Sequence, residues 1–111
     1  MGTDGPSIEG TDAFLAAVDA IYGATQIFDA LSDYTRFQIL GALMTAERSV
    51  SELQEICPVS QSAISHQLRL LRDRGLVTQR REGQRSIYSL ADDHVATLIR
   101  VGLEHAGEDL S

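Results

Sequence analysis

The stretch from Ser49 to Gly75 leaves this chain little choice of fold. Ser49-Val50-Ser51-Glu52 fits the S-x-x-E capping box, in which a hydroxyl and a carboxylate satisfy two otherwise orphaned backbone N–H groups. The helix it opens is short. Leu53 and Ile56 are expected inward, and Cys57-Pro58 ends the helix because the residue before proline is pushed out of helical geometry. Ser60 then caps a second helix with Ile64, Leu68 and Leu71 inward, and Asp73-Arg74-Gly75 stops it. Two short helices joined by a tight turn form a helix-turn-helix. Outward from the second helix stand Gln61, Ser62, Ser65, His66 and Arg69, with Ser60 at the cap. Small hydroxyls and amides near a helix start, followed by arginine, match what a DNA major groove accepts, although a solvated polar face reads the same way.

Past Gly75 the chain changes period. Leu76 to Leu90 is two β-prone runs flanking a polar Glu82-Gly83-Gln84 turn, which predicts a hairpin. A hairpin after a recognition helix is a wing. Arg80, Arg81 and Arg85 are expected to cluster near its tip, against phosphate or in the minor groove. The fold class is therefore mainly α with a β-hairpin wing, an α+β winged helix-turn-helix.

Upstream, Thr11 is expected to cap a first helix with Phe14, Leu15, Val18 and Ile21 as its stripe and Gly23 near its end. A second segment carries Ile27, Phe28 and Leu31. Ser32-Asp33 then starts a third helix through Phe37, Ile39, Leu40 and Leu43. These apolar residues are expected in the core, with the N-terminal helix also available for packing in a dimer. Residues 1–10 read as a flexible tail, 11–108 as one winged-helix and dimerisation domain, and 109–111 as a short C-terminal tail.

The last helix carries the metal-ligand pattern. Val95, Leu98, Ile99 and Gly102 recur at helical spacing. His94 and His105 are eleven residues apart, about 1100° of rotation, so they share a face roughly 16 Å apart. Asp92 stands two residues before His94, and Glu108 three after His105, within reach of the same ion. One chain cannot close these two half-sites on one ion. Two copies of the helix packed antiparallel can, with His94 facing His105 of the partner subunit and Gly102 admitting close backbone approach. The result is two equivalent sites of two imidazoles and two carboxylates, a pattern suited to Zn(II), with Co(II) as its mimic. The bland alternative is that Asp92 and Asp93 simply favour a helix N-terminus and that His105 and Glu108 are a solvated face.

Charge needs to be read by region. The net charge of −7 looks wrong for a nucleic-acid binder, yet residues 60–91 hold six arginines against Asp73 and Glu82. All nine basic residues are arginine, which suits bidentate phosphate and guanine contacts. No uninterrupted apolar run approaches the roughly 18 residues of a membrane span, and no basic, apolar leader opens the chain. The single cysteine, Cys57, forbids an internal disulfide and fits a reducing compartment, so the expected location is cytoplasmic. Cys57 reads as a small buried apolar residue. His66 has no cysteine or second histidine near it in sequence. No activated nucleophile, phosphate-binding glycine loop or open metal position is visible, so no enzyme is expected.

Ile27-Phe28-Asp29-Ala30-Leu31-Ser32-Asp33-Tyr34-Thr35-Arg36-Phe37-Gln38-Ile39-Leu40 resembles the opening motif of the ArsR/SmtB family of metal-sensing repressors. Ser60 to Arg72 is similar to that family's recognition-helix motif. The resemblance covers roughly residues 12–108. It implies a homodimer that binds palindromic operator DNA without metal and leaves it with metal. It also implies DNA contacts from Gln61, Ser62, Ser65 and His66, and metal ligation by Asp92, His94, His105 and Glu108. A further implied contact joins the second ring nitrogen of His105 to a backbone carbonyl near Gly75. Three departures matter. Ser49-Val50-Ser51 replaces the Cys-Val-Cys of members that bind arsenic, cadmium or lead. Tyr34 replaces a usual proline. Three histidines in total argue for four-coordinate zinc or cobalt rather than six-coordinate nickel. Two other readings stay open: a winged-helix regulator without metal sensing, and a zinc-stabilised protein-interaction dimer.

Overall fold

Five helices and three short strands follow one another in the computed structural model, which describes residues 10–110, with side chains described through Gly107. The expected tail therefore lies outside the described residues, apart from Gly10. So does Ser111 of the C-terminal tail, whereas Asp109 and Leu110 continue the last helix.

Helix α1 spans Thr11–Leu31 without a break, so the two N-terminal segments are one element. Gly23 does not end it; a Cβ there would meet nothing within 4 Å, and the glycine is carried in mid-helix. Gly10, not Thr11, is the cap residue, and no side chain caps the helix. Only the last turns of α1 reach the core, through buried Ala30 and half-buried Ile27 and Leu31. Phe14, Leu15, Val18 and Ile21 were expected inside and are 42–64% exposed, because the helix projects past the domain that would cover them.

Helix α1 is apolar on average, as helices of proteins that never enter a membrane also are. It contains an 18-residue window of mean hydropathy 1.2, long and apolar enough by length and composition to cross a bilayer, with 6% of that window buried. The helix carries no unbroken apolar run of that length, because Asp19, Gly23, Thr25, Gln26 and Asp29 interrupt it.

Helix α2, Tyr34–Leu43, begins as its sequence requires: the Asp33 side chain accepts a hydrogen bond from the Arg36 N–H. Tyr34 takes the first helical position, where proline is favoured but not required, and the turn before it is intact. Strand β1 is only Arg48–Ser49 and leads directly into α3, Val50–Ile56. The capping box forms in full: Ser49 Oγ accepts from the Glu52 N–H, and Glu52 Oε1 accepts from the Ser49 N–H at 2.8 Å. Leu53 is fully buried, but Ile56 is 41% exposed, contrary to expectation. Leu53 and Cys57, one helical turn apart, take the inward positions instead.

Helix α4, Gln61–Asp73, buries Ile64, Leu68 and Leu71 as expected. Strands β2, Val77–Glu82, and β3, Arg85–Leu90, form the hairpin, and β1 joins β3 to give an antiparallel sheet ordered β1-β3-β2. Helix α5, Asp93–Leu110, closes the chain, burying Val95 and Ile99. One core of Ile39, Leu40, Leu53, Ile64, Leu68, Leu71 and Ile99 thus joins α2 to α5.

Candidate nucleic-acid interface and metal half-sites

Helix α4 is held rigidly at both ends. Ser60 Oγ accepts from the Ala63 N–H at 3.2 Å. At the other end Gly75, at φ +74°, closes a Schellman motif: the Gly75 N–H bonds the Arg72 carbonyl at 3.0 Å and the Leu76 N–H bonds the Leu71 carbonyl at 2.9 Å. Between these caps Gln61, Ser62, Ser65, His66 and Arg69 are all exposed and line one shallow concavity. The five residues expected on the outer face therefore lie together. Arg36 ties this helix to its neighbours, donating to the Ala30 carbonyl at 2.8 Å and to Gln67 Oε1 at 3.2 Å.

The wing differs from its expected form. Its turn is the two residues Gly83 and Gln84, with Gly83 at φ +66° and Glu82 paired with Arg85. Because alternate strand residues point to opposite faces, Arg80, Glu82 and Arg85 share one face while Arg81 falls on the other beside its partner Ser86. The three arginines do not cluster. Arg80 Nη2 lies 2.7 Å from Glu47 Oε1, and its Nη1 lies 3.1 Å from Glu82 Oε2. Arg85 lies 3.8 Å from Glu52. Among the described residues Arg81 and Arg69 have no ion pair. On the opposite face Arg72 of α4 donates to Gln79, which donates to Ser86 Oγ at 2.8 Å, so the recognition helix is linked to both wing strands.

These contacts shift two carboxyls. The Arg80 hydrogen bond and charge hold Glu47 below the usual carboxylate range, with Ser89 helping. The backbone N–H of Ser49 does the same for Glu52. Burial pushes the Cys57 thiol up, which suits a packed apolar residue. Sequence reasoning missed Glu47 and Glu52 as wing residues. The hairpin register could have separated Arg80 from Arg81, but nothing local in sequence pairs residue 47 with residue 80.

At the start of α5, Asp92 Oδ1 accepts from the Val95 N–H at 3.0 Å and lies 4.0 Å from His94 Nδ1. The capping role is therefore present, and the His94 ring stands at the outer limit of ion-pair distance. His94 is 97% exposed. His105 is also exposed, further along the helix, and the side chain of Glu108 lies outside the described residues. Among the described residues, no group of three or more metal-ligating side chains comes together. The donors present are an imidazole and a carboxylate, which fit half of a zinc site and cannot complete one alone. A Cβ on Gly102 would stand 3.5 Å from Phe37 Cζ of its own chain, and the glycine is itself exposed.

The profile described as "Bacterial regulatory protein, arsR family" matches residues 33–79. The chain is 41% identical over 92 residues to the transcriptional repressor SmtB homolog of Synechocystis sp., covering 83% of this chain and 70% of that one. It is 38% identical over 105 residues to the HTH-type transcriptional regulator NmtR of Mycobacterium tuberculosis, covering 92% and 87%. The chain belongs to the arsR family. Among solved structures, the homodimeric winged helix-turn-helix DNA-binding domain Mb0332 of Mycobacterium bovis, a possible ArsR-family regulator, superposes with a TM-score of 0.80 at 31% identity, covering 94% of each chain. The arsR-family assignment agrees with the winged-helix architecture, with transcription regulation through DNA, and with the expectation that the chain is not an enzyme.

Proposed function

We propose that this arsR-family protein is a cytoplasmic, metal-responsive transcriptional repressor. It binds operator double-stranded DNA as a homodimer and is released by Zn(II), or Co(II) in its place, at two inter-subunit sites. The observation that carries this reading is the Asp92–His94 pair at the start of α5, with His105 eleven residues along the same helix. Asp92 and His94 of one protomer with His105 and Glu108 of the other supply two imidazoles and two carboxylates per site. When bound, zinc supplies a divalent charge that neutralises both carboxylates and joins the two α5 helices.

Dimerisation is supported by what the single chain leaves bare. The radius of gyration is 17.4 Å, against about 13 Å for a compact domain of this length. The exposed apolar residues of α1, together with Val101 and Leu103 of α5, give a second copy surface to cover. Ser60, Gln61, Ser62, Ser65, His66 and Arg69 read the major groove, and Arg81 approaches the backbone. His105 couples α5 to the end of the recognition helix through a backbone carbonyl near Gly75. Linkage then requires DNA to weaken metal binding by the factor by which metal weakens DNA binding.

Fluorescence anisotropy on the protein's own promoter DNA tests this, with and without zinc, for wild type and His105→Ala. Release of wild type but not of the variant supports the sensor. Release of neither leaves a winged-helix regulator without metal sensing. The observation favouring that second reading is the use of Asp92 as a helix cap.

A further inference from the structure

The wing arginines are met by acids from outside the hairpin. Arg80 and Arg85 lie on one face of the β2–β3 ribbon, and residues 47–52 send one carboxylate to each. Both carboxylates are prepositioned. Glu47 Oε2 accepts from Ser89 Oγ at 3.2 Å while its Oε1 takes Arg80. Glu52 is anchored by the Ser49 N–H whether or not Arg85 is near. Arg80 Nη2 faces Glu47 and Nη1 faces Glu82, so both terminal nitrogens that a guanidinium can offer to phosphate are taken, by two separate carboxylates. All four side chains of the two pairs are about half exposed, so the pairs are screened and exchangeable. Arg85 also shares a groove with Gln61 and Ser65 of the recognition helix, so a strand seated on that helix meets it.

We propose that Glu47 and Glu52 are affinity-setting residues, occupying the wing arginines as internal substitutes for DNA phosphate. The proposal rests on the DNA-binding reading above. A phosphate must displace a carboxylate or share the guanidinium with it. Arg80 and Arg85 therefore release fewer counterions than two free arginines would. DNA contact falls more heavily on Arg69 and Arg81, and non-specific binding is held down in a region that the linear sequence shows as basic.

The test is the full-length Glu47→Gln/Glu52→Gln variant, titrated onto its promoter duplex and onto an unrelated duplex across 50–200 mM salt. Gln at position 52 retains the capping box, so the helix start survives. The variant should bind both duplexes more tightly at low salt. Up to two additional phosphate contacts at a slope of about −0.9 each, with Glu82 still beside Arg80, make it lose up to roughly tenfold more affinity than wild type over that range. Adding Arg80→Gln and Arg85→Gln should abolish the gain. An unchanged or weaker affinity with an unchanged slope, in a protein whose wild type binds, overturns the proposal and leaves the acids as braces of the hairpin. Failure of wild type to bind any duplex instead removes the DNA-binding reading itself and the inference with it. If the double variant does not fold, Glu47→Gln alone is read the same way, with a slope change of up to about 0.9.

Discussion

The ring of Phe37 lies 3.5 Å from where a Cβ on Gly102 would stand, so α5 presents this glycine to α2 of its own chain. That distance is ordinary van der Waals contact. Replacing Gly102 with alanine removes the entropic cost of a mid-helix glycine, about 1 kcal/mol, without a clash. Gly102→Ala should therefore raise the thermal midpoint by a few degrees and leave the sedimentation-derived dimer constant unchanged. A weakened dimer would show that a partner backbone approaches there.

Asp92 combines a structural and a proposed metal role that substitution can separate. Asp92→Asn keeps an oxygen for the Val95 N–H and should preserve stability while weakening zinc affinity in a competition titration. Asp92→Ala should lose the cap as well, at about 1 kcal/mol in metal-free denaturation. Full zinc affinity in Asp92→Asn would argue that the residue is only a cap.

Gly75 sits at φ +74° in the Schellman motif that ends the recognition helix. Alanine there pays the left-handed penalty of about 1–2 kcal/mol. Gly75→Ala should lower the urea midpoint accordingly and weaken DNA binding by disturbing the Arg72–Gln79 link. Gly75→Asn, which tolerates this conformation better, should fall between alanine and wild type.

Acid should expose the wing acids. Glu47 and Glu52 have folded values depressed below the ordinary 4.5, so their contribution to stability is complete above that value. It is lost as pH falls from about 4.5 through the lower folded values. Thermal melts from pH 6 to pH 3 should show a decline that Glu47→Gln and Glu52→Gln each make shallower. High salt should flatten the Glu47 part more, because the Glu52 shift comes first from a backbone hydrogen bond.

Arg69 and Arg81 should carry more of the salt dependence of DNA binding than Arg80 does. Arg81→Gln or Arg69→Ala should each reduce the slope of log affinity against log salt by about 0.9, and Arg80→Gln by distinctly less. Equal losses for all three in parallel titrations would show that the Glu47 pair yields fully to phosphate.

The sequence alone determined most of the local structure and the exposed polar face of α4. Ser49/Glu52, Ser60 and Asp33 as caps, Cys57-Pro58 as a stop and Gly75 as a helix end are local chemistry, decided within four residues of chain. The inward residues of α4 and its polar outer face follow from helical period. Where competing local signals met, sequence reading failed. Gly23 suggests an end, yet α1 continues because the flanking residues favour helix and one glycine costs only about 1 kcal/mol. Strand β1 could not be read, because two residues become a strand only by pairing with Ile87 and Tyr88.

Tertiary structure alone decided which apolar and charged groups find partners. Phe14 and Ile21 look like core residues in sequence, but burial depends on what packs over them, and α1 runs beyond its own domain. Arg80 and Arg81 are adjacent and chemically identical, yet the pleat turns them to opposite faces and brings Glu47 to one of them across 33 positions of chain. Caps and periodicity arise from bonds between near neighbours. Charge pairing and burial arise from distance in space, which the order of residues does not state.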